Sequence, residues 1–205
     1  MNIEVKNSVK PVDYNVSMKI LERRVEDVLL GKKNELLWIL EHNTVYTAGT
    51  SSKREDLIDK NLKVIQTNRG GKFTLHSPGQ KVVYFVLNLN KREKDIRKLV
   101  TNVENCIINI LKEYKIKSYP DKENIGIWVD YKNNSKKIAA IGIRVKKWIA
   151  FHGFSLNINN DLIKYNKIIP CGIKNKGITS FKELKIKNYN NIEEVIIDKF
   201  LNIFL

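Results

Sequence analysis

The chain has 205 residues, which favours one domain and suffices for a full hydrophobic core without disulfide or metal staples. Its apolar fraction of 42%, with 9% aromatic residues, excludes a disordered chain. Its 37 Lys and Arg against 22 Asp and Glu give a formal +15, which either draws in acidic partners or nucleic acid or simply reflects a Lys-, Asn- and Ile-crowded composition such as an AT-rich genome encodes.

In chain order, Val12, Val16, Ile20, Val25, Val28 and Leu29 recur at helical spacing, and Gly31 stands where a C-terminal cap belongs. Leu36 to Leu40 is a continuous apolar run of strand length. Lys63 to Thr67 reads as a short strand ending in the turn Asn68-Arg69-Gly70-Gly71. Phe73 to Leu75, the break Ser77-Pro78-Gly79 and a strand from Lys81 to Leu87 follow. The clearest helix spans 95–114, where Ile96, Leu99, Val100, Val103, Cys106, Ile107, Ile110 and Leu111 keep one face. Strands are predicted at Ile125 to Val129, Lys137 to Val145 and Trp148 to Ile158, the last two joined by a hairpin with Lys146 and Lys147 near its turn. A loop carries Pro170-Cys171-Gly172, and a last helix runs from about Ile192 to Ile203. Strands in hairpins with interspersed helices predict an α+β fold with a mixed, largely antiparallel sheet flanked by helices in a single domain over 1–205.

No apolar run approaches the ~18 residues of a membrane span, and Met1 leads into polar residues rather than a signal-peptide core. Two cysteines far apart argue against a disulfide scaffold and suit a reducing cytoplasm. His42, His76 and His152 show no metal-ligand spacing, so no metal is expected.

Cys106 lies on the apolar stripe of the long helix and reads as core filler. Cys171, between Pro170 and Gly172 with no stripe to bury it, is either incidental or a nucleophile acting as thiolate. Arg69-Gly70-Gly71 sets a permanent cation beside backbone that a ligand can approach closely; its plain alternative is a turn. The pattern is not that of a P-loop. With His76 before the next turn, it suggests a pocket wall built on loops. Lys137 opens a strand whose Ala139, Ala140 and Gly142 leave room for something to pass, although a lysine there alone reads as a solvated strand end.

Five blocks stand in order: Glu41 to Gly49, Arg69 to Gln80, Lys137 to Gly142, Phe151 to Asn157 and Ile169 to Gly172. On them the chain resembles the lipoyl(octanoyl) transferases, from about residue 10 to residue 185. The resemblance implies the catalytic-domain fold of the biotin and lipoate protein ligases. It implies octanoyl transfer from octanoyl-acyl carrier protein to a lysine of lipoyl domains, those of the 2-oxoacid dehydrogenase complexes and of the glycine cleavage H protein. By the same resemblance Cys171 carries the acyl group and Lys137 assists it. The substrate pocket is then lined by Arg69, Gly70, Gly71, Lys72, Phe73, Thr74, Leu75 and His76, with Ala140, Ile141, Gly142, Gly153, Phe154 and Ser155. The donor is already activated, so no cofactor is expected. Ser77 stands where the family usually has Gly and Leu75 where it usually has an aromatic residue, changes expected to alter the pocket wall rather than the reacting groups.

The nearest rival is an ATP-dependent lipoate or biotin protein ligase of the same fold, which needs no nucleophilic cysteine. A nucleic-acid-binding module is disfavoured, because the lysines are dispersed and no RNP, KH or zinc pattern occurs. With acidic partners implied, part of the +15 becomes a docking expectation, with Lys72, Lys81, Lys146 and Lys147 near the site blocks.

Overall fold

The computed structural model describes residues 2–169 and 177–205. Among them the chain forms three α-helices and two sheets, an α+β architecture with a mixed, largely antiparallel main sheet.

Helix α1 (Tyr14–Leu29) starts where Asp13 accepts a hydrogen bond from the Val16 amide at 3.0 Å. It ends in a Schellman motif: Gly31 takes φ +69°, its N–H reaches Val28 O, and the Lys32 N–H reaches Asp27 O. Its buried face is Tyr14, Ser17, Leu21, Val25 and Val28, so the predicted stripe is rotated: Val16 and Ile20 look outward. Ser17 misleads the pattern because its hydroxyl donates to Tyr14 O at 2.7 Å and so tolerates burial. Helix α2 (Ile96–Glu113) buries six of the eight predicted positions, Cys106 included, with Val100 half-buried and Ile96 exposed, and α3 (Ile192–Phe204) packs beside it.

The main sheet runs β1 (Ile3–Asn7), β2 (Glu35–Leu40), β6 (Gln80–Asn88), β10 (Ile149–Asn157), β9 (Asn134–Lys146), β8 (Ile127–Tyr131) and β7 (Tyr119–Pro120), with β11 (Gly177–Ile178) beside β9. Only the β1–β2 and β9–β11 pairs in it are parallel. A smaller sheet orders β4 (Val64–Gln66), β3 (Val45–Ala48) and β5 (Phe73–His76). β1, β3, β7 and β11 were not legible: each has five residues or fewer and is fixed by its partner strand, not by a pattern of its own.

Both hairpins of the β8–β9–β10 meander turn through two residues at positive φ, Lys132-Asn133 and Lys147-Trp148. They have the backbone signs of type I′ turns without the usual glycine, which is why Trp148 reads as strand in sequence and sits in the turn instead. One face of the sheet, through Val83, Phe85 and Phe154, packs on α2 and α3; the other, through Val82, Tyr84 and Val86, meets α1. No described helix is long and apolar enough to cross a membrane.

Candidate active site

Opposite residues of antiparallel strands share a face, so the register across three strands builds a floor. Val82, Ser155 and Ala140 form one row; Tyr84, Gly153 and Gly142 form the next. Both rows look away from the α2–α3 core, and above them the chain from Arg69 to His76 makes a wall. Floor and wall enclose a narrow cavity of ≈ 50 Å³, room for about four water molecules.

The glycines let this backbone approach. A Cβ on Gly153 would lie 2.0 Å from Val83 O, and one on Gly142 would lie 3.2 Å from Gly70 O. Arg69 locks the wall. Its guanidinium donates to Thr47 O and Oγ1 at 3.0 and 2.7 Å, to Lys72 O at 2.9 Å and to Gly70 O at 2.9 Å. Those bonds tie the 69–72 turn to β3, a structural use of the charge.

Behind the cavity the three histidines form a buried aromatic cluster with Tyr14 and Tyr84. His42 meets Val12 O through Nδ1 at 2.7 Å, so that nitrogen carries the proton and Nε2 accepts from the Tyr84 hydroxyl at 2.9 Å. His76 Nδ1 meets Gln80 Oε1 at 2.7 Å, and His152 Nε2 meets Asn68 Oδ1 at 2.7 Å. Among the described residues no three His, Cys, Asp or Glu groups are placed to hold a metal ion.

Burial, with the neighbouring His42, pushes His76 down to about 3; burial, with Arg69 and Arg144 nearby, takes His152 to about 3 as well. Each therefore takes up a proton on unfolding between pH 6.5 and about 3, and acidification through that window favours the unfolded chain. At pH 5 each should cost on the order of 2 kcal/mol relative to neutral pH. Urea midpoints should fall between pH 7 and pH 5, and His152→Asn, which tolerates the φ of +69° found there, should flatten that slope. A midpoint constant from pH 7 to pH 5 would contradict this account.

Lys137 is 2% exposed, so it is no solvated strand end. Strict alternation along β9 would turn it with Ala139 and Ile141 toward the α2–α3 core. A β-bulge prevents that: Ile127 pairs with Ala139 but Trp128 with Lys137, leaving Ile138 as the extra residue. Ile138 and Ala139 both enter the core, and Lys137 emerges on the face of Ala140 and Gly142. It stands three residues, about 10 Å, along the strand from Ala140. Its Nζ donates to Ile125 O at 2.8 Å.

Of the predicted lining, Arg69, Gly71, Lys72, Phe73, Thr74, His76, Ala140, Ile141, Gly142, Gly153, Phe154 and Ser155 border the cavity. Gly70 does not: it packs over Ile143 and faces an adjoining cleft of ≈ 510 Å³. Leu75 does not either; it is buried with Tyr46, Ala48 and Tyr165 beneath the smaller sheet. Ser77 is buried outside the cavity, so neither family departure borders it. Val82, Tyr84 and His152 line it unpredicted. Alternation along the strand from Lys81, which places Val82 and Tyr84 on one face, was the signal for the first two.

Cys171 lies outside the described residues, with Pro170 and Gly172. Beyond them the chain re-enters at β11, where Ile178 pairs with Lys137 and the Thr179 amide donates to Lys137 O at 2.9 Å. Cys106 is fully buried, and burial pushes its thiol up to about 12. Of the lysines singled out for docking, Lys81 is held by Glu41 and Glu193 at 2.9 and 2.6 Å, and Lys72 faces Asp56 at 3.6 Å. Lys146 and Lys147 are exposed at the β9–β10 turn, roughly 20 Å along the strand from Ala140.

A model of the lipoyl protein ligase A/B catalytic domain matches residues 13–203. An octanoyltransferase of Ehrlichia canis (strain Jake) is 45% identical over 205 residues, covering 98% of this chain and 96% of that protein. Among solved structures, a bipartite lipoate protein ligase from Thermoplasma acidophilum superposes with a TM-score of 0.72 at 13% identity, over 98% of this chain and 84% of that one. A biotin acetyl coenzyme A carboxylase synthetase from Helicobacter pylori does so with a TM-score of 0.53 at 11% identity, over 98% and 75%. These two likenesses are of fold.

Proposed function

The chain belongs to the octanoyltransferases of the lipoyl protein ligase A/B catalytic-domain family, acyltransferases of the lipoylation route, and from that premise we propose that it moves octanoyl from acyl carrier protein to a lipoyl-domain lysine through a thioester on Cys171. The single observation that carries this reading is Lys137, buried yet turned by the bulge onto the face of the cavity floor. A lysine placed there serves proton transfer rather than solubility. The narrow cavity, floored by Ala140, Gly142 and Gly153, suits part of a thin unbranched acyl chain, and the adjoining cleft shares Gly71, Lys72, Ile141 and Gly142 with it.

The chemistry balances with two groups. In the resting pair Cys171 is a thiolate and Lys137 an ammonium. The thiolate adds to the donor carbonyl, and as the oxyanion collapses the donor thiol departs with the Lys137 proton. Exchange between two thioesters is nearly even in energy. Lys137, now neutral, takes the proton of the attacking lysine amine as the new amide forms, and the Cys171 thiolate is released. The reaction needs neither ATP nor a metal and belongs in a reducing compartment such as the cytoplasm, where the thiol persists.

Incubation with octanoyl-acyl carrier protein in the absence of ATP should give a hydroxylamine-sensitive octanoyl adduct, read by intact mass spectrometry, that disappears in Cys171→Ser. No adduct, or one that survives the substitution, would sink the cysteine mechanism. A ligase would instead require ATP and free octanoate, and the same assay run with those reagents separates the two.

A further inference from the structure

The bulge that turns Lys137 onto the face of the cavity floor also sets it directly opposite Trp128. Were the pairing regular from Ile127 and Ala139 onward, the ring would face Ile138 and Lys137 would point into the α2–α3 core. Instead Lys137 Nζ lies 4.8 Å from the centroid of the Trp128 ring and 2.8 Å from Ile125 O. The ring is itself fixed: it is 1% exposed, and its Nε1–H donates to Asn124 O at 2.9 Å. Gly126 completes the cradle, since a Cβ there would come within 3.0 Å of Lys137 Cε and 2.7 Å of Ala139 O.

We infer that Trp128 is a positioning residue for the transfer reaction, its ring face holding the Lys137 ammonium at the end of the cavity floor. A buried ammonium needs compensation, and among the described residues Lys137 has no carboxylate partner. A carboxylate would pin the charge in an ion pair and resist its loss. A ring face attracts the ammonium yet leaves the neutral amine in place when the proton goes to the departing thiol. One carbonyl and one ring thus fix the direction of the amine in both protonation states, while its other N–H positions stay open to the reacting groups. The inference rests on Lys137 acting as the base proposed above. It adds that the base works only when an aromatic face holds it.

The test compares full-length Trp128→Phe, Trp128→Leu and Trp128→Met with Lys137→Met. The readouts are kcat and KM for octanoyl transfer and thermal melting. Trp128→Phe keeps a ring face and should stay within about threefold of the parent kcat. Trp128→Leu should lose about 100-fold in kcat, with KM for donor and acceptor little changed. Trp128→Met gives the same contrast with a side chain that repacks easily, so the comparison does not depend on the leucine variant folding. Equal kcat in the phenylalanine and aliphatic variants, whether high or low, overturns the inference, because packing alone would then account for Trp128. Retained turnover in Lys137→Met instead removes the base, a failure distinct from that of Trp128.

Discussion

Lys137→Met should lower turnover about 10²- to 10⁴-fold, the usual worth of a positioned acid–base group, while far-UV circular dichroism stays unchanged. Methionine is unbranched, reaches as far as the lysine Cε and prefers a buried site, so the bulge and the Trp128 packing survive the change. What is lost is the hydrogen bond to Ile125 O and the buried amine on the face of the cavity floor. Lysine is strongly hydrated in the unfolded chain, so stability should hold or rise slightly. Single-turnover measurements sharpen the expectation. Acylation by the donor slows for lack of an ammonium to protonate the leaving thiol, and transfer to the acceptor amine slows more. A variant that turns over at the parent rate would take Lys137 out of the chemistry.

Gly153→Ala should be among the most damaging single-methyl additions at the described glycines. The added Cβ would sit 2.0 Å from Val83 O, inside the ladder that joins β10 to β6. Backbone oxygen cannot step aside as a side chain does, so the two central strands would have to part. The φ of +157° at this position adds strain for any residue with a side chain. A loss of about 3 kcal/mol or more is expected, read as a melting temperature lower by about 10 °C. Unchanged melting would mean that the strand pair closes less tightly than the structure has it.

Much of this was legible from residues alone, for definite reasons. The α2 stripe announces a helix because six of its apolar positions share one buried face, and Cys106 falls among them. Ala139, Ala140 and Gly142 together read as room beside the strand; Ala140 and Gly142 do lie on the cavity floor, but Ala139 faces the α2–α3 core. The rest depends on partners that a linear pattern does not contain. β3 is four residues long, and the smaller sheet that carries the wall is organised around it. Arg69 reads as a free cation near a ligand, but four oxygen contacts fix it to the wall. Most telling is Lys137. Alternation counted from Ala139 places it in the core, and only the one-residue slip against β8 reverses its face. Trp128 escaped notice for the same reason, since its neighbour across the strands is set by that slip.

The two rows of the cavity floor have different histories along the chain. Ala140, Gly142, Gly153 and Ser155 lie in one hairpin closed by two residues, so they can meet with little loss of chain entropy. Val82 and Tyr84 come from β6, whose pairing with β10 brings Asn88 to Ile149 and Gln80 to Asn157. Contacts so remote in sequence are slow to form, because a long loop must close before any of them is rewarded. Until β6 docks, β10 presents a row of unpaired amides and carbonyls, an edge on which a second unfolded chain can build. Completion of the cavity floor and removal of that aggregation-prone edge are therefore the same folding event. A newly made chain closes its cavity floor and becomes safe from its neighbours at one moment.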